Sequence, residues 1–343
     1  MIDPDAPQTG SGGEHHDVRA VLEQLLTTHF GHPSRIVTLR RRRSPYATSF
    51  ALQILDVVFD NGRHLPVVFK DLSEGSLLET ARVAKPRFLH DPLREIGTYR
   101  DILSREALGT AECYGAVVDA GRAWLFLEKV QGQELYQIGE LAVWSEVACW
   151  LAGMHDRFSE RAEQLRRDHP RLLRYDADLH RRWFERAQEF IGRGGADHER
   201  RDMARLAAGC ETVIERLAAV PVTLVHGEFY PSNVLVGDLA DGRRVCPVDW
   251  EVAGVGIGLL DLAALVAGWA PVQQRAIARS YHRALQPRHG WPPKEDTFAS
   301  LLDYCQLARS VQWLGWSPQW TPPPEHARDW LGEAVQLAER LGL

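Results

Sequence analysis

The sequence predicts an α+β chain, with a small N-terminal antiparallel five-stranded sheet carrying one helix, followed by a larger, mainly helical part. Three observations carry that expectation. The chain has 343 residues, more than the roughly 100–150 of a typical domain, so two compact units are expected. Apolar runs separated by turn residues fill the chain as far as Val130, whereas beyond Gln131-Gly132-Gln133 apolar residues recur at helical spacing. Hydrophobic residues make up 45% and charged residues 25%, which supplies material for buried cores and excludes global disorder or a fibrous repeat.

The elements follow in order. Met1 to Asp17 is polar and acidic and has neither the basic nor the apolar region of a secretory leader. It reads as a disordered tail, leaving 18–130 as the first unit and 131–343 as the second. Ile36 to Leu39 and Phe50 to Phe59 are strand-like, and Asp60-Asn61-Gly62 offers the positive φ that tight reversals need, so a third strand runs back over His64 to Lys70. Asp91-Pro92 reads as an N-cap followed by proline at the first helical position. The helix it opens should reach about Leu103, with Leu93, Ile96, Tyr99 and Leu103 toward the sheet and Glu95 on a neighbouring stripe. Cys113 to Val118 and Trp124 to Val130 complete five strands. In the helical part, short β-like runs stand at Val222 to Val225, Val234 to Val236 and Val245 to Val248.

Composition narrows the function classes. Lys and Arg number 40 against 46 Asp and Glu, a net charge of −6, without the basic excess that nucleic-acid binding by a whole domain demands. Five widely spaced cysteines form no CxxC pair, so neither a disulfide framework nor a thiolate zinc site is indicated, and a reducing, cytoplasmic setting is expected. Gly254 to Ala270 is too short to span a bilayer and carries Asp261 midway, which leaves no membrane partner.

The chemistry concentrates in Leu224-Val225-His226-Gly227-Glu228-Phe229-Tyr230-Pro231-Ser232-Asn233, followed by Val248-Asp249-Trp250-Glu251. An apolar strand delivers His-x-acid, an Asn follows five residues after the acid, and a second strand ends in Asp. Three oxygen-bearing side chains at one sheet edge suit Mg²⁺, a hard cation held by one or two protein groups plus substrate phosphates.

This arrangement resembles the aminoglycoside phosphotransferase and choline kinase family, whose fold is similar to that of protein kinases. Its H-G-D-x-x-x-x-N pattern is matched by His226, Gly227 and Asn233, its I-D-W by Val248-Asp249-Trp250, and its G…D-L-A helix start by Gly254 and Asp261-Leu262-Ala263. The likeness extends over roughly residues 35–270 and includes Leu151-Ala152-Gly153-Met154-His155 for the family's L-A-x-L-H helix.

The resemblance implies a bilobal, kinase-like fold, with ATP or GTP as cofactor together with Mg²⁺. It implies that Lys70 holds the α/β-phosphates with Glu95 as its partner, that the backbone of the Glu128 to Val130 hinge binds adenine, and that Asn233 and Asp249 ligate Mg²⁺. His226 is implied to orient the loop. The expected function is transfer of a γ-phosphate to a hydroxyl of a small molecule. The rival reading of His226-x-Glu228 as a zinc deaminase lacks the second cysteine of a P-C-x-x-C pair, since Cys246 precedes Pro247.

Two departures leave alternatives open. Glu228 replaces the family's Asp, which keeps the intrinsic basicity but adds a methylene of reach. It either serves the acceptor hydroxyl as orienting base, or marks a nucleotide-binding sensor or scaffold. The stretch Arg40 to Ser49 contains no glycine. Ser44 and Ser49 either contact phosphate oxygens, or the stretch is an exposed basic strand edge.

Residues 131–343 contain 24 Lys and Arg against 29 Asp and Glu, compatible with a cationic acceptor such as an aminoglycoside and equally with ordinary solubility. Trp313, Trp316, Trp320 and Trp330, near Pro318 and Pro322-Pro323-Pro324, suit either an acceptor wall or helix-packing core.

Overall fold

Strand alternation decides what each face of the N-terminal sheet can carry. The computed structural model describes residues 12–44, 49–119, 121–239, 242–316 and 328–343. The chain folds as two compact units, Met1–Val83 with Asp91–Gln131, and Ala84–His90 with Gly132–Leu343.

The first unit opens with α1 (Gly12–Phe30), which begins inside the segment expected to be a tail. Its Val18, Leu22 and Leu26 recur every four residues and are buried, a stripe that the surrounding polar residues hide from a reading by composition. Strands β1 (Ile36–Arg43), β2 (Leu52–Phe59), β3 (His64–Asp71), β4 (Cys113–Asp119) and β5 (Arg122–Glu128) form one antiparallel sheet in the order β1-β2-β3-β5-β4. Gly62 makes the β2–β3 reversal at φ +80°, and Asn61 Oδ1 accepts the Arg63 N–H at 2.9 Å.

The first strand runs four residues further than expected, through Arg40 to Arg43. It is an edge strand, so its exposed side tolerates consecutive arginines, two of which are committed across the sheet: Arg41 Nε donates to Gln53 at 2.8 Å and Arg42 Nε to Asp56 at 3.0 Å. Residues 45–48, Thr48 among them, lie outside the described residues.

The core beneath α1 contains Leu55, Val57, Val67, Phe69 and Phe126. Because β3 alternates, Val68 and Lys70 fall on the opposite face. Two short helices, α2 (Glu79–Ala84) and α3 (Pro92–Gly97), follow β3, and α3 packs on the sheet in addition to α1. Asp91 caps α3 by accepting the Leu93 N–H at 3.0 Å, with Pro92 at its first position. The helix then widens into a π-turn over Thr98–Ile102 and tightens into a 3₁₀ turn over Leu103–Arg105.

The second unit adds β6 (Gln133–Glu134), α4 (Leu141–Ser159), α5 (Ala162–Asp168), β7 (Leu173–Arg174), α6 (Ala177–Gly194), α7 (Asp197–Ala208), α8 (Cys210–Ala218), β8 (Val222–Val225), β9 (Val234–Leu239), β10 (Gly242–Pro247), β11 (Gly254–Ile257), α9 (Leu259–Val266), α10 (Pro271–Ala284), α11 (Glu295–Leu314) and α12 (Trp330–Leu341). Two three-stranded ribbons, β10-β9-β6 and β7-β11-β8, are embedded among the helices. The glycines of β11 disguise it in sequence, yet they are required there: a Cβ on Gly256 would stand 2.4 Å from Tyr175 Cβ.

Gly254 to Ala270, considered above for membrane length, is therefore a strand followed by a short helix, and no described helix is long and apolar enough to cross a membrane. All five cysteines are free thiols.

The fully buried Leu22 ties α1 to the sheet, so Leu22→Ala should lower unfolding stability by about 2–5 kcal/mol. Urea denaturation followed by circular dichroism measures it, and an unchanged midpoint would contradict the packing described for α1.

Candidate active site

In the first unit, Lys70 and Glu95 meet. Lys70 leaves β3 on the face away from α1, the Asp91 cap fixes α3 over that face, and Lys70 Nζ donates to Glu95 Oε1 at 2.6 Å. The side chains are 11% and 2% exposed. Burying an ion pair costs desolvation that its mutual attraction only roughly offsets, so stability alone is a poor reason to keep one.

Ser44 follows β1 at the same end of the sheet: its N–H donates to Leu52 O at 2.8 Å, and Leu52 is the register partner of Lys70. Ser49 is buried, and its carbonyl accepts the Leu78 N–H at 3.0 Å. Glu128 pairs with Val67 on β3, three residues and roughly 10 Å along the strand from Lys70. Its N–H donates to Glu112 O at 2.8 Å and its carboxylate accepts the Glu112 N–H at 3.1 Å. Val130 is buried just beyond.

In the second unit, the loop after β8 is held from beneath by one carboxylate. Asp261, in the first turn of α9 and fully buried, accepts the His226 N–H at 2.7 Å and the Gly227 N–H at 2.9 Å. A charged acceptor strengthens each bond, to roughly 1.5–3 kcal/mol apiece. His155 Nε2 lies 3.4 Å from Asp261 Oδ2, and His155 Nδ1 lies 2.7 Å from the Tyr281 hydroxyl. Burial, then the Asp261 charge, raises the Tyr281 pKa well above its usual value, which keeps its proton available to donate to Nδ1. The partners thus assign a chain of donation from Tyr281 through His155 to Asp261.

Gly227 has φ +85°, and a Cβ there would meet Tyr175 Oη at 2.0 Å, so only glycine fits the turn.

From that anchor the loop orders its remaining side chains. His226 Nε2 donates to Val248 O at 2.9 Å, and its Nδ1 accepts the Glu228 N–H at 3.3 Å. Asn233 Nδ2 donates to the Glu228 carbonyl at 3.0 Å, which turns its Oδ1 away from that carbonyl. Val248 N–H donates to Asn233 O at 2.8 Å, setting Asp249 beside the loop. Asp249 itself has φ +67°, a left-handed conformation that Asp tolerates at some cost. Glu228, Asn233 and Asp249 are therefore brought together within this unit.

Lys85 and Glu251 form a second buried ion pair, Nζ to Oε1 at 2.7 Å, which sequence reasoning did not single out. The chain contains four lysines, and both Lys70 and Lys85 are only 8% exposed. The scarcity of lysine in an arginine-rich chain was the available signal. Loss of solvent pushes the Glu228 carboxyl up to about 8, reinforced by the charges of Glu251 and Asp249 and opposed by Lys85.

Two cavities adjoin the loop. Glu228 lines a water-sized one of about 10 Å³ with Tyr175, Trp183 and Trp316, while Tyr230, Pro231 and Ser232 border one of about 380 Å³. The described tryptophans pack together, and one of them also borders a cavity. Trp313 packs on Trp316 and Trp330 at ring distances of 5.7 and 5.6 Å, and Trp330 also borders the larger cavity. Trp320, Pro318 and Pro322-Pro323-Pro324 lie outside the described residues.

A family model described as the phosphotransferase enzyme family matches residues 25–296. No curated protein matches the chain. Among solved structures, the chain is similar to a mutant aminoglycoside 2′-phosphotransferase IIIa in its GDP complex, at 13% identity over 94% of this chain and 97% of that one, with a TM-score of 0.58. It is also similar to a choline kinase from Cryptosporidium parvum Iowa II, at 13% identity over 88% of each chain with a TM-score of 0.57. A microcompartment-associated aminopropanol kinase is similar at 14% identity over 93% and 94%, with a TM-score of 0.56. At these identities the likeness is one of fold.

The Lys70–Glu95 geometry predicts an asymmetry in stability. Glu95→Leu, which leaves Lys70 buried without its partner, should cost about 3–5 kcal/mol, whereas the double variant Lys70→Met/Glu95→Leu should recover most of that loss. Urea titrations of both variants measure it; equal losses in the two would count against a compensated buried pair.

Proposed function

Since the chain belongs to the phosphotransferase enzyme family, we propose that it is an ATP-dependent small-molecule kinase that moves a γ-phosphate onto a hydroxyl. The observation that carries the reading is the Lys70–Glu95 contact at 2.6 Å, a buried pair that contributes little net stability but presents an ammonium group at a sheet end. In this reading Lys70 holds the α/β-phosphates and Glu95 orients it. The backbone of Glu128 and Val130 receives the adenine, with GTP as the alternative nucleotide, and Ser44 and Ser49 lie toward the phosphate oxygens.

The second unit supplies the chemistry of transfer. Asn233 Oδ1 and the Asp249 carboxylate are hard oxygen donors suited to Mg²⁺. Such a cation would be held by one or two protein groups together with phosphates. The upward push on Glu228 from burial, Glu251 and Asp249 is a cluster of like charge that a cation would relieve. Bound there, Mg²⁺ would neutralise charge on the transferring phosphates. Glu228 orients the acceptor hydroxyl and accepts its proton.

A hydroxylated metabolite panel incubated with ATP and Mg²⁺, read by mass spectrometry for phosphorylated product, tests this. Product is expected from the unaltered chain. Glu228→Ala should lower kcat by about 10²–10⁴-fold, and Asp249→Ala should bring it to background while nucleotide still binds. Wild-type rates in either variant would remove that residue's role. Nucleotide binding without product across the panel would favour the sensor or scaffold reading.

A further inference from the structure

The cavity of about 380 Å³ beside Tyr230, Pro231 and Ser232 has the size of a small-molecule site, and its chemistry is one-sided. Its walls are aromatic, from Tyr136, Trp144, Trp269 and Trp330, and its charged lining residues are Arg309 and Arg328. Among the described residues, no Asp or Glu lines it.

Arg309, on α11, is 6% exposed. Among the described residues its Nε has no hydrogen-bond partner, and neither has Nε1 of Trp330. Arg309 and Arg328 both lie over the Trp330 ring, each at 5.3 Å from its centroid. Arg328 is held by Glu333 at 2.7 Å, whereas among the described residues none forms an ion pair with Arg309. Burial lowers the Arg309 pKa to about 10, which leaves the guanidinium charged at neutral pH.

A buried guanidinium with no carboxylate partner is costly unless something else supplies the acceptor oxygens. An aromatic cage could in general attract a cation, but here the chain's own guanidinium groups already lie over Trp330, and two positive charges repel another. Among the described residues the lining offers donors and no acidic acceptor.

We propose that this cavity takes a phosphoryl acceptor bearing an anionic oxygen group, a carboxylate or a phosphate monoester. The anion would meet Arg309 while the apolar or planar body lies between the aromatic walls. The inference rests on the phosphotransferase reading for the word acceptor; the preference for an anion rests on the lining alone. The acid excess of residues 131–343, compatible in sequence with a cationic acceptor, does not extend to this lining.

Binding without nucleotide separates the two. The full-length protein is titrated with benzoate, phenyl phosphate and benzylamine, followed by tryptophan fluorescence and calorimetry. Benzoate or phenyl phosphate should bind at least about tenfold more tightly than benzylamine, and the tighter of the two identifies the preferred anion. Arg309→Gln should weaken that binding by about ten- to a hundredfold, the range of a charge-assisted hydrogen bond. Arg328→Gln, at a half-exposed position, should weaken it less and keeps the test available if the Arg309 variant fails to fold.

Benzylamine binding as tight as the anions, no anion binding up to about 10 mM, or unaltered anion binding in folded variants at both arginines would overturn the proposal. Anion binding that Arg309→Gln weakens supports it even if no hydroxylated anion is phosphorylated, a result that would count against the transfer reading alone. Product formed from hydroxylated amines but from no hydroxylated anion would overturn the proposal and leave the transfer reading intact.

Discussion

The Asp261 carboxylate anchors the loop after β8 in the second unit. It is fully buried, accepts the backbone N–H groups of His226 and Gly227 at 2.7 and 2.9 Å, and faces His155, itself bonded to Tyr281 at 2.7 Å. A charge in that position is tolerable only because its surroundings supply donors. The same arrangement fixes the turn from which Glu228 and Asn233 project. The close packing extends to Gly258, where a Cβ would stand 2.6 Å from His155 Nδ1. The conformation of the loop is thus tied to solvating one buried carboxylate.

The two units solve different electrostatic problems with similar means. In the first, a strand end and a capped helix bring Lys70 to Glu95; in the second, Lys85 and Glu251 form a pair of the same kind at 2.7 Å. Each holds an ammonium group out of bulk water, where its field is less screened than at a surface. The Lys85 charge opposes the upward push that burial and neighbouring carboxylates exert on Glu228. The longer carboxylate at position 228 thus sits among Glu251, Asp249 and Lys85, and burial with the two carboxylates outweighs the lysine.

Much of this was legible from sequence where the signal is local. Asp91-Pro92 announced a helix start, Asn61-Gly62 a reversal and Lys70 a strand end, whereas the pairing of Lys70 with Glu95 was implied by the family resemblance. The loop residues Glu228, Asn233 and Asp249 were legible through spacing. What escaped depends on long-range packing. The stripe Val18, Leu22 and Leu26 is sparse and follows a polar stretch, so the start of α1 as far as Asp17 was read as tail and no helix was assigned to the rest. Lys85 and Glu251 stand 166 positions apart in the chain, and nothing local relates them. Arg309 on α11 looks in sequence like one more surface arginine, and only burial beside Trp330 distinguishes it. Periodicity likewise could not divide the tryptophans between core and cavity wall, because one helical spacing serves both.

The central claim is that the chain carries a γ-phosphoryl group to an acceptor hydroxyl. It is tested most directly by following ATP labelled with heavy oxygen on its γ-phosphate in the presence of Mg²⁺ and an acceptor. The account predicts that the label appears in a phosphate ester whose bridging oxygen is unlabelled and comes from the acceptor. Label recovered solely in inorganic phosphate, with every acceptor unchanged, would contradict it.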